Sequence, residues 1–313
     1  LLRLRERALE GPFEAAARAR LAFAMGYADW KRFEIVLRDH QRRVEGHFER
    51  VFAAPQSDHA KSDAHDLAGV WQGSLDPEKS YAALAGIGYH DPAECYRQLQ
   101  ALRGGRPFLG LSSIGRQRMD RLIPLLLGAA AQSRNADQTL ERLLRIIEQI
   151  GRRSAYIALL VENPMALSQL ARLCHASPWI TTQLAHYPLL LDELLDPRTL
   201  YAPPRREPLR EELIQRLGDL ETGDLEEQME LLRHFKQANT LRVAAADVME
   251  AIPLMEVSDH LTELAEAITA AALEIAWNGM VQRHGYPARE GQRHPGKGFA
   301  VVAYGKMGGI ELG

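Results

Sequence analysis

The sequence predicts a mainly α fold, with two helical sections forming a multi-helix bundle and one β-strand after them. Three observations support this. Apolar residues recur at intervals of three, four or seven along most of the chain. Helix-start signals, with Pro directly after Ser, Asn or Asp, come at short spacing, as in a compact bundle of short helices. Only one stretch, Phe299 to Tyr304, breaks that pattern with β-branched, apolar residues between glycines.

In chain order, a short helix is expected from Ala17 to about Met25. A longer one runs from Asp29 to about Phe52, where Phe33, Val36, Leu37, Val44, Phe48 and Val51 form an apolar stripe. Ala54-Pro55-Gln56-Ser57-Asp58 ends it, and the polar stretch to about Asp66 reads as a loop. A helix is predicted around Ala93 to Leu102, and Gly104-Gly105-Arg106-Pro107 then marks the main boundary. Beyond it the spacing predicts helices over 115–131, 137–150 and 153–162. Asn163-Pro164 and Ser177-Pro178 each supply an N-cap followed by Pro, while Tyr187-Pro188 and Asp196-Pro197 mark breaks.

Two long helices follow. The first, Asp224 to about Glu250, places Leu225, Met229, Leu232, Phe235 and Leu241 on one side. The second is capped by Ser258 and runs to about His284, with Leu261, Leu264, Ala265, Ile268, Ala272, Ile275 and Met280 inward. The short link Ala251 to Val257 makes them antiparallel neighbours. The domain reading is therefore 1–105, 106–295 and 296–313.

Composition excludes several classes of function. The 313 residues are 46% hydrophobic, enough core for one large domain or two ordinary ones. Lys and Arg number 38 against 41 Asp and Glu, which argues against a nucleic-acid or anionic-membrane binder. Cys95 and Cys174 lie far apart without a Cys-x-x-Cys pattern, so neither a disulfide scaffold nor a zinc module is expected. The longest apolar run, Leu122 to Ala131, is about half the roughly twenty residues of a spanning helix. Leu1-Leu2-Arg3-Leu4-Arg5 is charged from its third residue and does not read as a signal peptide. With no initiator Met and a final Gly309-Ile310-Glu311-Leu312-Gly313 turn, the expectation is a soluble, cytoplasmic stretch of a longer protein.

One signature points to phosphate. Gly305-Lys306-Met307-Gly308-Gly309 follows the predicted strand, where glycines let backbone amides approach an anion and a lysine adds charge. It is neither a Walker A loop nor a dinucleotide fingerprint. On spacing alone, a glycine turn after a buried strand is the simpler explanation.

The stretch FAVVAYGKMGGIELG (Phe299 to Gly313) resembles the opening of the nucleotidyltransferase core in the glutamine synthetase adenylyltransferase/adenylyl-removing family. RRSAYIALLVENPMALSQLARLC (Arg152 to Cys174), SPWITTQLAHYPLLLDELLDPRTLY (Ser177 to Tyr201), LRHFKQANTLRVAAADV (Leu232 to Val248) and VSDHLTELAEA (Val257 to Ala267) resemble the helical region before that core. LSSIGRQRMDRLIPLLL (Leu111 to Leu127) is similar to the start of the adenylyltransferase half. LAFAMGYADWKRFEIVLRDHQRRVEGHF (Leu21 to Phe48) is similar to the helical tail of the deadenylylating half.

The resemblance implies a bifunctional enzyme with two cores of the DNA polymerase β type, of which this chain holds the first strand of one, truncated. One half transfers AMP from ATP to a tyrosine of glutamine synthetase; the other removes it by phosphorolysis. The PII signal-transduction protein and glutamine decide which runs. Gly305, Lys306, Gly308 and Gly309 are then the ATP-phosphate residues, with Met307 where the family often has leucine. The resemblance also implies two Mg²⁺-holding acids, one residue apart, roughly eight to ten residues beyond Gly309. The sequence stops before them, so this stretch contains no catalytic residue or metal ligand and is expected to be inert alone. The competing reading is a non-catalytic helical regulatory module.

Other constellations read as structural. Asp192-Glu193-Leu194-Leu195-Asp196 is more simply a helix terminus than a metal cluster, and Glu221 to Glu227 an acidic helix start. His234, His260 and His284 have no metal spacing, and Trp179 reads as a core anchor. Arg233, Lys236 and Arg242 could touch a partner or nucleotide, but a solvated or ion-paired face accounts for them too.

Overall fold

The computed structural model describes residues 27–33, 59–151, 153–220, 224–287 and 299–303. The expected helix over 17–25 and most of the one over 29–52 lie outside these residues. Within 27–33, residues 30–33 are helical and Phe33 is buried, with the Tyr27 and Trp30 rings 5.4 and 5.6 Å away.

Helices make up nearly all the rest. They are α1 (His59–Gln72), α2 (Pro77–Gly86), α3 (Pro92–Gly104), the single turn α4 (Arg106–Leu109), α5 (Ser113–Ala131) and α6 (Ala136–Ile150). Next come α7 (Ser154–Glu162), α8 (Pro164–Ala176), α9 (Pro178–His186), a 3-10 helix (Pro188–Leu195) and the single turn α10 (Pro197–Leu200). The last three are α11 (Arg206–Gly218), α12 (Leu225–Val248) and α13 (Leu254–His284). Side chains fix many starts: Asp76, Asp91, Ser112, Asn135, Ser177 and Asp224 each accept a backbone N–H from the first turn.

The stretch before Asp66 is not a loop, because α1 begins at His59. Its second half inserts Leu67, Val70 and Trp71 into the core, and that packing outweighs a polar, weakly helical start. Asn163 takes the N-cap position of α8 with Pro164 after it, but its side chain makes no cap bond there; its Nδ2 donates backwards to the Leu159 carbonyl at 2.8 Å, closing α7. The final helix begins at Leu254, not Ser258, since Pro253 holds the extended conformation just before it. It ends at Gly285, whose φ of 74° suits only glycine comfortably.

A large core runs from Leu67 to Ala245 and draws on both sides of Gly105. At its centre is α6, with Leu140, Leu143, Ile146, Ile147 and Ile150 fully buried and α3, α5, α8 and α9 packed around it. A second, smaller core joins α11, α12 and α13 through Leu209, Leu213, Leu232, Phe235 and Leu264. The helix α12 belongs to both, giving Ala238, Leu241 and Ala245 to the first and Leu232 and Phe235 to the second. The predicted pairing of α12 and α13 is present. Leu261 and Met280, expected inward, are exposed, as are Leu225 and Met229 on the apolar side of α12, because a stripe is buried only where a neighbouring helix reaches it.

The strand expected over 299–304 is not shown: residues 299–303 have no regular structure, and Tyr304 lies outside the described residues. A strand exists by pairing, and no strand is present among the described residues to pair with it. Phe299, Val301 and Val302 are left exposed.

Leu143→Ala is expected to cost about 2–5 kcal/mol of unfolding free energy, since α6 cannot collapse around the cavity. Met229→Ala, at an exposed position, changes the urea midpoint little.

Candidate functional site

Gly305, Lys306, Gly308 and Gly309 lie outside the described residues. No group of three or more His, Cys, Asp or Glu among the described residues could hold a metal. The Asp192–Asp196 acids are used otherwise. Asp196 accepts the Arg198 N–H at 3.0 Å at the start of α10, and Glu193 is taken by Arg242.

The most organised polar site is where the two cores meet. Arg242 on α12 donates from Nε to Glu193 Oε2 at 2.7 Å and from a terminal nitrogen to Asn239 Oδ1 at 3.3 Å. Glu212 on α11 approaches it at 4.0 Å. Asn239 in turn donates to the Phe235 carbonyl at 3.0 Å. The Arg242 and Glu193 side chains are only 13% and 12% exposed, so the pair is held away from water and cannot meet a partner or nucleotide. Beside it, burial pushes the Asp192 carboxyl above its usual range; Glu193 adds to this and His234 opposes it. This arrangement binds the 3-10 helix, α11 and α12 into one unit. It presents no nucleophile.

Of the other two cations singled out on α12, Arg233 pairs with Glu230 at the surface and Lys236 is exposed. His260 is buried with Nδ1 3.2 Å from the Pro204 carbonyl, while His284 is exposed. Trp179, expected as a core anchor, is 46% exposed.

Two features were not anticipated. The first is Asp137 in the opening turn of α6, which accepts the Asp91 N–H at 2.9 Å, the His90 N–H at 3.0 Å and the Cys95 thiol at 3.3 Å. Burial alone would raise its pKa, but these bonds outweigh burial and hold it at about 2. The Cys95 thiol is pushed far up by burial and by Asp137, so it is unreactive. The second is an open groove of about 640 Å³ between α1, α5 and α7, lined by Gln72, Gln117, Asp120, Arg121, Pro124 and Leu125, among others. Asp120 accepts the Trp71 indole N–H at 2.8 Å, which commits the groove's one carboxylate to structure. No local sequence signal marks either site, since each joins residues distant in the chain.

The polar contacts described above are scaffolding, and the family is read from relatives. A family model described as glutamate-ammonia ligase adenylyltransferase matches residues 167–313. A Nitrosococcus oceani protein named bifunctional glutamine synthetase adenylyltransferase/adenylyl-removing enzyme is 50% identical over 305 residues, covering 96% of this chain and 32% of the relative. Over the region it spans, the chain belongs to this family. Proteins with the same name from Thioalkalivibrio sulfidiphilus and Pseudomonas putida are 46% and 45% identical, over 96% and 94% of the chain. They are covered to 32% and 30% of their own lengths, so the chain spans about a third of the adenylyltransferases it matches. No helix among the described residues is long and apolar enough to cross a membrane.

Two outcomes follow. Arg242→Met, which strands Glu193 in the interior, is expected to cost about 3–5 kcal/mol, while adding Glu193→Leu restores most of it. Both are read by urea unfolding. The depressed Asp137 pKa stabilises the fold above about pH 5, and that contribution is lost as pH falls from about 4 towards 2. The stability gap between the native chain and Asp137→Asn should narrow by about 2 kcal/mol over that window in a pH series of urea midpoints.

Proposed function

We propose that these residues form the helical segment of a cytoplasmic, bifunctional nucleotidyltransferase. One activity transfers AMP from ATP to a tyrosine hydroxyl of glutamine synthetase; the other removes it by phosphorolysis. The observation that carries this reading is identity of 45–50% along almost the whole chain with proteins so named. Regulation by the PII signal-transduction protein and glutamine belongs to the same proposal. So does the division into 1–105, a helical tail and linker of the deadenylylating half; 106–295, the bundle of the adenylyltransferase half; and 296–313, the entry to its core.

The chemistry suits the residues. Backbone amides at Gly308 and Gly309 can approach a triphosphate because no side chain intervenes, and Lys306 supplies positive charge. Mg²⁺ would neutralise the leaving pyrophosphate and activate the tyrosine hydroxyl. The buried scaffold supports a positioning role for the helices, holding the core that follows them.

In the full-length protein, Gly309→Asp is expected to lower AMP transfer about 10²–10³-fold, by crowding and repelling the triphosphate. The thermal midpoint should stay unchanged. Undiminished transfer by a folded variant would overturn the phosphate role of this turn.

A further inference from the structure

The helix α13 has two apolar faces, and the protein's described core uses only one. At about 100° per residue, Leu264, Ile268, Ala271 and Ile275 share the face turned to the second core. On the opposite face the first half is polar, with Asp259, Thr262 and Glu266; Glu266 pairs with Arg206 at 2.7 Å. Past Thr269 that outer face changes character. Leu273, Trp277, Met280 and Val281 form an apolar stripe where water-facing residues belong; Met280 is 57% exposed, and Leu273, Trp277 and Val281 are half-buried. On the inner face the apolar run stops at Ile275 and gives way to Asn278, Gly279 and Gln282.

Among the described residues, the distal end of α13 also has no helical neighbour of its own length. With 31 residues against 24 in α12, and a short turn between them, it outruns its antiparallel partner by about 10 Å. A contiguous apolar stripe on a projecting helix end marks a contact surface. A second apolar segment follows closely in sequence: Phe299, Val301 and Val302 are 64%, 54% and 68% exposed. The curated relatives are about three times the length of this chain, so most of the polypeptide lies outside it.

We infer that the Leu273–Trp277–Met280–Val281 stripe is the docking surface for the polypeptide following residue 313 in the full-length protein, contacted in cis through an apolar patch. The same body covers Phe299, Val301 and Val302. Because the two apolar segments are separated by a short stretch of chain, one occupant can bury both. The inference rests on family membership and on the relatives' length, not on the chemistry proposed above.

Hydrogen exchange tests it. In the full-length protein, amides over 276–284 should exchange at least about 10-fold more slowly than in the 313-residue chain, since docking suppresses helix-end fraying. Met280→Glu should remove that protection in the full-length protein and raise exchange beyond residue 313, while leaving the 313-residue chain unchanged. Equal exchange in the two chains would overturn the inference. So would protection that rises with concentration in the 313-residue chain alongside dimers in sedimentation, which would assign the surface to a second copy. Neither result depends on AMP transfer, so failure here is distinct from failure of the proposed activity.

Discussion

The structure depends on one buried ion pair at the place where two hydrophobic cores share a helix. Arg242 lies between Asn239 on its own helix, Glu193 on the 3-10 helix of the first core and Glu212 on α11 of the second. Burying such a pair is expensive, and apolar residues of similar volume commonly hold a fold as well or better. The pair's contribution is thus geometric. It fixes the rotation of α12 about its own axis, which determines which side chains enter each core. Ala238, Leu241 and Ala245 face one way, Leu232 and Phe235 the other, and a rotation that improved one set would expose the other. The Arg216 guanidinium, 5.7 Å from the Phe235 ring centre, adds a second cation to the same joint.

Asp137 does comparable work within the first core. A carboxylate in the opening turn of α6 suits that helix's dipole, yet its oxygens point at the N-terminus of α3 and take the amides of His90 and Asp91. Two helix starts thereby share one charge. Nearby, the Tyr89 hydroxyl donates to the Leu127 carbonyl at 3.0 Å, tying the same turn to α5. Arg142 closes the other side of α6 by donating to the Cys174 and His175 carbonyls, the unsatisfied end of α8. The central helix is therefore registered against its neighbours by polar contacts at its flanks, and its apolar stripe fills the space between.

Much of this was legible in the sequence, and the failures have physical causes. Periodicity located α5, α6, α7 and α12 because each carries a stripe that a partner covers along most of its length. Ser177 was read correctly as a cap since a short polar side chain before a helix has one dominant use. Asn163 holds the N-cap position read for it, but its side chain bonds the helix before it and not the one after, a choice that spacing does not make. The start of α1 was missed because burial of Trp71 and Val70, a tertiary event, outweighs local polarity. The Arg242–Glu193 pair was invisible for a similar reason: the partners are 49 positions apart, and a charged stripe on a helix looks the same solvated or buried. Family resemblance supplied what periodicity lacked, naming Gly305 to Gly309 without any contact to support it.

The clearest conflict between local pattern and observed structure is Phe299 to Ala303. By composition it is a strand, and every propensity argument agrees. Strand propensity, however, measures how well a side chain fits a pleated surface already half-buried by neighbours, so it has no force where no pleat exists. A helix closes its own hydrogen bonds and needs only one covered face, which is why α13 persists to His284 with its outer stripe partly exposed. A strand must borrow both its hydrogen bonds and its packing. Among the described residues nothing covers Met280 or pairs with 299–303, so α13 stays folded while 299–303 has no regular structure, and a single apposed body would complete both.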